Sequence, residues 1–329
     1  MSNHQLNSRI AYFPINLFGA VMGLSGLTLG LQSAHEQLGI SITFFYSLAL
    51  ITTSLFLVFS TIYSIKLLKH SNHVIAEFNH PVLLHFFPTF SISLLLLSLI
   101  FKDIAFDLAQ IMWGVGSIIQ FSLLIYILSN WIHHEKWQIT DMNPAWFIPV
   151  VGAIVVPLGA VHFANVELGW FFFSIGLVFW IILSSIVMYR LFFHPPMLKL
   201  LEPTLFILIA PPSVGFISYM SLQGMAGVDE FARILYYIGL FMTLLLLSQV
   251  ARFIRIPFSL AWWAYTFPLA AISLASFVMY QQLGLILYSY IASFLLAILS
   301  ALILHLTLKT LIAIKNKKLC MPPPAKPAD

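Results

Sequence analysis

The stretch FSLAWWAYTFPLAAISLASFVMY, residues 258–280, is long enough to cross a membrane and contains no charged side chain. About 20 apolar residues suffice for an α-helix to span the roughly 30 Å hydrocarbon core of a bilayer. Pro268 nevertheless lies in the middle of this stretch, directly after Phe267. Because proline removes a backbone N–H donor where water is scarce, its presence requires an explanation from the whole fold.

The composition of the chain is that of a helical membrane protein. Of its 329 residues, 60% are hydrophobic and 8% are charged, and the mean hydropathy is +0.97. A soluble domain carries about 25% charged residues, so this chain could not cover a surface exposed to water. The single cysteine, Cys320, excludes an intrachain disulfide. Ten apolar segments are long enough to span a bilayer, at 12–32, 40–66, 82–101, 104–131, 145–163, 167–192, 204–223, 231–250, 258–280 and 284–314.

Basic residues divide unevenly between the two sides of the membrane that ten spans define. Of the 15 Lys and Arg residues, only Lys102 and Arg233 lie on the side opposite the termini. The others lie on the side of the termini and are Arg9, Lys66, Lys69, Lys136, Arg190, Lys199, Arg252, Arg255, Lys309, Lys315, Lys317, Lys318 and Lys326. Since positive loops stay in the cytoplasm, both termini are predicted to be cytoplasmic, and the basic excess requires no nucleic-acid partner. The predicted organisation is a cytoplasmic segment at 1–11, a ten-helix domain at 12–314 and a cytoplasmic tail at 315–329.

Prolines divide the ten spans into five units. One proline recurs near the start of each odd-numbered span at intervals of 67, 63, 59 and 54 residues: Pro14, Pro81, Pro144, Pro203 and Pro257. Each unit is a helical hairpin of one irregular and one regular helix. The pattern predicts an all-α polytopic membrane protein whose five hairpins form a quasi-fivefold ring around a central pore.

Residues that break helices fall on the odd-numbered spans. The prolines within spans are Pro88, Pro149, Pro157, Pro211, Pro212 and Pro268, and the five even-numbered spans have none. The first span carries instead a stripe of glycines, Gly19, Gly23, Gly26 and Gly30. Irregular backbone is tolerated at membrane depth where protein or a cavity surrounds it, so the odd spans are predicted to lie inside. Pro268 is then accepted because its helix does not face lipid.

The sequence contains no enzyme motif and predicts no cofactor or metal site. Phosphate-binding loops, zinc-ligand spacings and nucleophile elbows are absent. At membrane depth the ionisable side chains are His85, His162 and His305, and His85 lies near the interface, where a structural role is usual. What remains is a lining of small, hydroxyl-bearing and aromatic side chains. Such stripes serve close helix packing or a narrow pore that a bulky ring can close, and Phe267 beside Pro268 is a candidate for that ring.

Two stretches, YFPINLFGAVMGLSGLTLG at 12–30 and AWWAYTFPLAA at 261–271, resemble the tellurite-resistance/dicarboxylate transporter family. This family includes bacterial TehA proteins, plant slow-type guard-cell anion channels and yeast malate permeases. The resemblance covers the ten spans, the five proline-marked hairpins and both motifs, and the length is similar to that of bacterial TehA-like members.

The resemblance implies a homotrimer in the bacterial inner membrane, with one pore in each subunit. It implies that Phe267 occludes the pore, because the family has a phenylalanine just before the proline of the ninth helix. A glycine of the first helix is tied to pore integrity and matches Gly19 or Gly23, of which Gly23 is favoured. The matching kink positions are Pro88, Pro149 or Pro157, Pro212 and Pro268, and Thr266 adds a hydroxyl beside the gate.

The leading functional hypothesis is a channel that passes small monovalent anions such as chloride or nitrate across the lipid bilayer, with Phe267 as its gate. One alternative is a proton-coupled transporter of dicarboxylates or of oxyanions such as tellurite, with His85 as its ionisable residue. Another is a non-conducting structural or sensor protein. Five hairpins that all start on one side favour the channel, because inverted repeats are typical of secondary transporters.

Overall fold

A computed structural model describes residues 9–135 and 137–321 of the chain. The regular secondary structure in this part of the chain is helical. Ten helical segments in this part are long and apolar enough to cross a membrane, as predicted. Spans 1 to 10 are Ile15–Leu38, Thr43–Lys69, Leu83–Phe101, Phe106–His133, Pro144–Phe163, Val166–Phe193, Lys199–Leu222, Glu230–Leu247, Leu260–Leu283 and Ile286–Lys315. A short helix, Ser71–Asn79, follows span 2. Lys136 and the outer parts of the predicted terminal segments 1–11 and 315–329, residues 1–8 and 322–329 with Lys326, lie outside the described residues.

The odd-numbered spans are buried and the even-numbered spans are exposed. Buried residues make up 72–89% of the most apolar window in each odd span and 17–33% in each even span. The exposed faces of the even spans carry large apolar side chains such as Leu50, Ile118, Ile181 and Phe294, which suit contact with lipid. The predicted division into inner and outer spans is therefore confirmed.

The inner spans contact one another in chain order. Span 1 packs against span 3, span 3 against span 5, span 5 against span 7 and span 7 against span 9, and span 9 packs against span 1. Each inner span also packs along the outer span that follows it, which makes five hairpins. A quasi-fivefold symmetry of this arrangement stays a prediction.

Every inner span begins as a 3-10 helix and continues as an α-helix. The 3-10 segments are Ile15–Leu17, Leu83–Phe86, Pro144–Trp146, Lys199–Ile209 and Leu260–Tyr265, and the α-helical parts are Phe18–Leu38, Pro88–Phe101, Phe147–Phe163, Ala210–Leu222 and Thr266–Leu283. Of the six prolines discussed above, only Pro157 lies inside an α-helix, and the others lie in the first turn of an α-helical part. The N–H groups of a first turn lack an acceptor within the helix, so proline costs little there. Pro268 therefore begins an α-helix and does not interrupt one.

Described residues from both ends of the chain meet on one face of the molecule. The guanidinium group of Arg9 donates a hydrogen bond to the carbonyl oxygen of Leu319 at 3.4 Å. Nearby, the buried Lys66 Nζ lies 2.8 Å from the Glu77 carboxylate and donates to the Phe13 carbonyl oxygen at 2.9 Å. These contacts tie span 2 and the short helix after it to the chain just before span 1. We call this face the terminal side and the opposite face the far side.

Candidate functional site

A cavity on the terminal side lies between all five inner spans. Its volume, measured as the space open to the centre of a water molecule, is about 40 Å³, which is room for about three waters. Its walls include Gly19 of span 1, Thr89 of span 3, Val151 of span 5, Ala210 of span 7 and Trp263 of span 9. Each of these residues lies within about one helical turn of the change from 3-10 to α-helix in its span, so the cavity lies at the level of this change.

A second cavity lies between the same five spans on the far side. It is larger, with about 240 Å³ for the centres of water molecules. Its walls include Gly26, Leu96, Leu158, Val214 and Ala271, one from each inner span.

Phe267 is the one described residue that lines both cavities. It is 8% exposed and is the second residue of the α-helical part of span 9. Ala264 and Pro268 line the terminal-side cavity with it, and Ala271 lines the far-side cavity. The spacing of these residues by three or four puts them on one face of the helix. Phe267 is therefore the point at which the walls of the two cavities meet.

Two ionisable side chains, Glu36 and Lys102, line the far-side cavity. Glu36 lies within the helix of span 1, which continues to Leu38, beyond the end predicted at residue 32. Lys102 follows span 3, and its Nζ lies 3.7 Å from the carboxylate of the exposed Asp103. The far side thus carries one charge of each sign at its wall.

The glycine stripe of span 1 serves two purposes. Gly19 lines the terminal-side cavity, and a Cβ added there would have its nearest neighbour, the Trp263 Cβ, at 4.0 Å. A Cβ at Gly23 would overlap the hydroxyl oxygen of Thr266, which itself donates to the Trp263 carbonyl oxygen at 2.7 Å. Gly23 and Thr266 line neither cavity. Gly19 is thus a wall residue, whereas Gly23 permits the close contact of spans 1 and 9 beside Phe267.

The other predicted proline positions line neither cavity and are Pro88, Pro149, Pro157 and Pro212. Two of them belong to a buried polar network that reaches the outer span 4. The Gln120 Nε2 donates to the Pro149 carbonyl oxygen at 2.7 Å, and the Ser91 hydroxyl donates to the Gln120 Oε1 at 2.7 Å. The Pro88 carbonyl oxygen lies 3.0 Å from the same Ser91 hydroxyl and competes for its single proton. This network joins spans 3 and 5 at the level of their first α-helical turns.

His85 is enclosed by tryptophans away from both cavities. Its ring lies 5.6 Å, 5.9 Å and 4.6 Å from the rings of Trp131, Trp137 and Trp146, measured between centroids. The Trp131 indole N–H donates to the His85 Nε2 at 3.1 Å. His85 is fully buried and lines neither cavity, so its contacts are those of a packing residue.

Asn16 lines the terminal-side cavity and was not predicted from the sequence. A signal for it was available, because it is the one polar side chain of the segment FPINLFG, three residues before Gly19. In a helix that spacing puts both residues on the same face.

The chain is similar to proteins named as channels and transporters. Residues 12–311 match the SLAC1 family, described as voltage-dependent anion channel. An uncharacterized transporter of Methanocaldococcus jannaschii is 27% identical over 308 residues, which cover 87% of this chain and 90% of that protein. The S-type anion channel SLAH3 of Arabidopsis thaliana is 28% identical over 271 residues, 80% of this chain and 42% of the plant protein. The tellurite resistance protein TehA homolog of Haemophilus influenzae is 23% identical over 273 residues, 82% of this chain and 81% of that protein.

The matched residues include spans 1 to 9 and most of span 10. The resemblance inferred from the two sequence motifs is confirmed, and anion transport is the activity that the family supports. The chain belongs to the SLAC1 family of anion channels and tellurite-resistance/dicarboxylate transporters.

Proposed function

We propose that the chain is an anion channel in which the two cavities form one pathway across the membrane, closed by the ring of Phe267. The observation that carries this proposal is that all five inner spans line both cavities and that both cavities share Phe267. A hydrophobic constriction in a pore is a recognised form of gate, and a bulky apolar ring forms such a constriction.

The charge distribution along the pathway supports an anion as the permeating ion. Among the described residues that line the terminal-side cavity, none is charged. All five inner spans begin on the terminal side, so five helix N-termini with their partial positive charge surround its mouth. A cavity without a fixed cation binds an anion weakly enough to let it leave, which suits fast passage of chloride or nitrate.

The proposed orientation places the protein in a bacterial inner membrane with both termini on the cytoplasmic side. Its support is the excess of Lys and Arg on the terminal side, together with the meeting of Arg9 and Leu319 there. This orientation concentrates anions at the cytoplasmic mouth within about 8 Å at physiological salt. The homotrimer stays a prediction from the resemblance.

One observation favours a second candidate, the proton-coupled transporter. Glu36 is the acidic side chain that lines the far-side cavity, whereas His85, the residue predicted for the proton-coupled role, lies among tryptophans outside both cavities. A transporter of this kind would give a saturable flux that follows the proton gradient.

Purified wild type, Phe267→Ala and Phe277→Ala in planar bilayers under a KCl gradient test the proposal. We expect Phe267→Ala to carry a steady current about tenfold or more above wild type, because removing ~1.4 kcal/mol of barrier suffices for that factor. The current should reverse near the chloride equilibrium potential. Phe277 is a matched control because it is fully buried in the same span and lines neither cavity, so its replacement should leave the current at the wild-type level.

A folded Phe267→Ala variant without current, or with a current that reverses at the potassium potential, would contradict the proposal. Uptake by wild type that follows an imposed proton gradient and is lost in Glu36→Gln would favour the transporter instead.

A further inference from the structure

A third cavity lies between spans 6, 7 and 8 and the chain next to their terminal-side ends. Its volume, on the same measure as the two central cavities, is about 580 Å³, and it shares no lining residue with either of them. Two of its wall residues, Phe192 and Phe241, are 72% and 60% exposed. The cavity therefore opens on the outer surface of the spans, which faces lipid.

This third cavity is polar at its terminal-side end and apolar further into the membrane. His194 directly follows span 6, Glu202 lies in the first turn of span 7, and Arg252 follows span 8. Leu208 and Phe241 line the cavity about two helical turns further into spans 7 and 8. The molecule that matches such a cavity has a polar head and an apolar tail, as a membrane phospholipid has.

The polar end carries an excess of positive charge. Residues 188–202 and 245–257, which contain the lining at this end, include one acidic residue, Glu202, and four basic residues: Arg190, Lys199, Arg252 and Arg255. Basic pockets between transmembrane helices attract acidic lipid head groups within about 8 Å at physiological salt. The charge thus favours an acidic phospholipid over a zwitterionic one.

Arg252 presents a free edge of its guanidinium group. Its Nε and Nη2 donate to the two carboxylate oxygens of Glu202 at 2.9 Å and 2.8 Å, and Glu202 is 5% exposed. Within the described residues the Arg252 Nη1 makes no hydrogen bond, and the side chain is 55% exposed. The carboxylate therefore fixes the orientation of the guanidinium, which keeps two N–H donors for a phosphate oxygen.

The wall between the third cavity and the terminal-side cavity is the 3-10 segment Lys199–Ile209. Leu205 and Leu208 of this segment line the third cavity, whereas Ile207 lines the terminal-side cavity. The segment is 11 residues long, although 3-10 helices longer than three or four residues are uncommon because their hydrogen bonds have poorer geometry. Contacts on its outer face are thus a source of stability that its own hydrogen bonds do not supply.

We propose that an acidic phospholipid of the terminal-side leaflet binds in the third cavity and stabilises the 3-10 segment of span 7. Its phosphate accepts hydrogen bonds from the Arg252 Nη1, and an acyl chain lies along Leu208 and Phe241. The site does not depend on whether the chain conducts anions.

Native mass spectrometry of delipidated protein, titrated with phosphatidylglycerol or phosphatidylcholine of identical acyl chains, tests the site. We expect wild type to bind phosphatidylglycerol about tenfold more tightly, a difference of ~1.4 kcal/mol. Glu202→Gln combined with Arg252→Gln should remove this preference, because it takes away the guanidinium without leaving a buried carboxylate unpaired. Arg233→Gln is the matched control, since it removes an exposed arginine on the far side of the same span 8 and should keep the preference.

A second variant tests the apolar part of the site. Met242→Trp fills part of the cavity and leaves every charge in place, so it should weaken the binding of both lipids. The unfolding midpoint of wild type should rise more with phosphatidylglycerol than with phosphatidylcholine, and the double variant should respond equally to both.

Three results would overturn the inference. The first is a double variant that keeps the preference for phosphatidylglycerol, and the second is a rise in midpoint that inorganic phosphate alone produces in full. The third is a wild type that does not distinguish the two lipids while Met242→Trp dissociates an oligomer, which would make the cavity a contact between copies of this chain.

Discussion

Gly19 and Gly23 lie one helical turn apart in span 1, and we expect their replacement by alanine to have different effects on stability and on current. A Cβ at Gly23 would overlap the Thr266 hydroxyl, whereas a Cβ at Gly19 has no neighbour nearer than 4.0 Å. Gly23→Ala should push spans 1 and 9 apart and lower the free energy of unfolding by about 1–3 kcal/mol. Gly19→Ala should leave the stability unchanged and reduce the anion current of Phe267→Ala, because it narrows the cavity.

Thermal unfolding of the two glycine variants, with current recorded in the Phe267→Ala background, separates these effects. Equal unfolding midpoints for both variants, or a current that Gly19→Ala does not change, would contradict the assignment of Gly19 to the wall and Gly23 to packing.

Asp229, on the far side, is expected to make the stability of the fold depend on pH. It caps the helix of span 8: its Oδ1 accepts a hydrogen bond from the Ala232 N–H at 2.8 Å, and its Oδ2 accepts one from the Tyr219 hydroxyl. The bond from the Ala232 N–H, followed by that from Tyr219, lowers the pKa of Asp229 below its ordinary 3.8. Because the folded pKa is depressed, this contribution to stability is present above about pH 4 and is lost as the pH falls through the folded value.

Unfolding midpoints between about pH 3 and pH 6 check the role of Asp229. Wild type should lose stability at the acid end, and Asp229→Asn should lose less, because asparagine still caps the helix but has no carboxylate to protonate. Identical pH profiles for the two proteins would show that Asp229 does not contribute.

At the scale of the helices, the outer span 4 stabilises the starts of two inner spans. Gln120 is fully buried and bonds to the Pro149 carbonyl and to Ser91, and Gly152 provides the space for its carboxamide. Gln120→Leu should leave this carbonyl without its side-chain partner and lower the free energy of unfolding by about 1–3 kcal/mol. Ser122→Ala on the exposed face of the same helix is the control. A Gln120→Leu protein as stable as that control would mean that the network does not hold the inner spans.

Hydropathy and proline spacing were sufficient to predict the ten spans, the hairpins and the inner position of the odd helices. The reason is that lipid excludes irregular backbone, so the positions of helix breakers report directly on burial. The same pattern could not show that each inner span begins as a 3-10 helix, since 3-10 and α-helices use the same residue types and differ by one position in their hydrogen bonds. For this reason Pro268 looked like a break in the middle of a helix.

Contacts between elements could not be predicted from the sequence for a different reason. Lys66 was counted among the basic residues on the side of the termini, yet it is 1% exposed because its partners, Glu77 and the Phe13 carbonyl, come from other elements. Likewise, Asn16 lines a cavity and Gln120 bonds to neighbouring helices, and both arrangements depend on the packed fold. Single polar residues in apolar segments were the available signal, and only the packed fold distinguishes a wall residue from a packing residue.

In the whole molecule, the inner and the outer layer of helices have different roles. The outer spans present apolar side chains to lipid, and the inner spans enclose two cavities whose walls are uncharged on the terminal side. Phe267 lines both cavities and lies at the start of the α-helical part of span 9. The proposed channel follows from this arrangement only if the ring is the barrier between them.

The unitary anion current across the series Phe267→Leu, Phe267→Val and Phe267→Ala is the most direct test of that claim. We expect the current to rise as the side chain at this position becomes smaller, while the reversal potential stays near that of chloride. A series of folded variants whose currents all equal that of wild type would contradict closure of the pathway by Phe267.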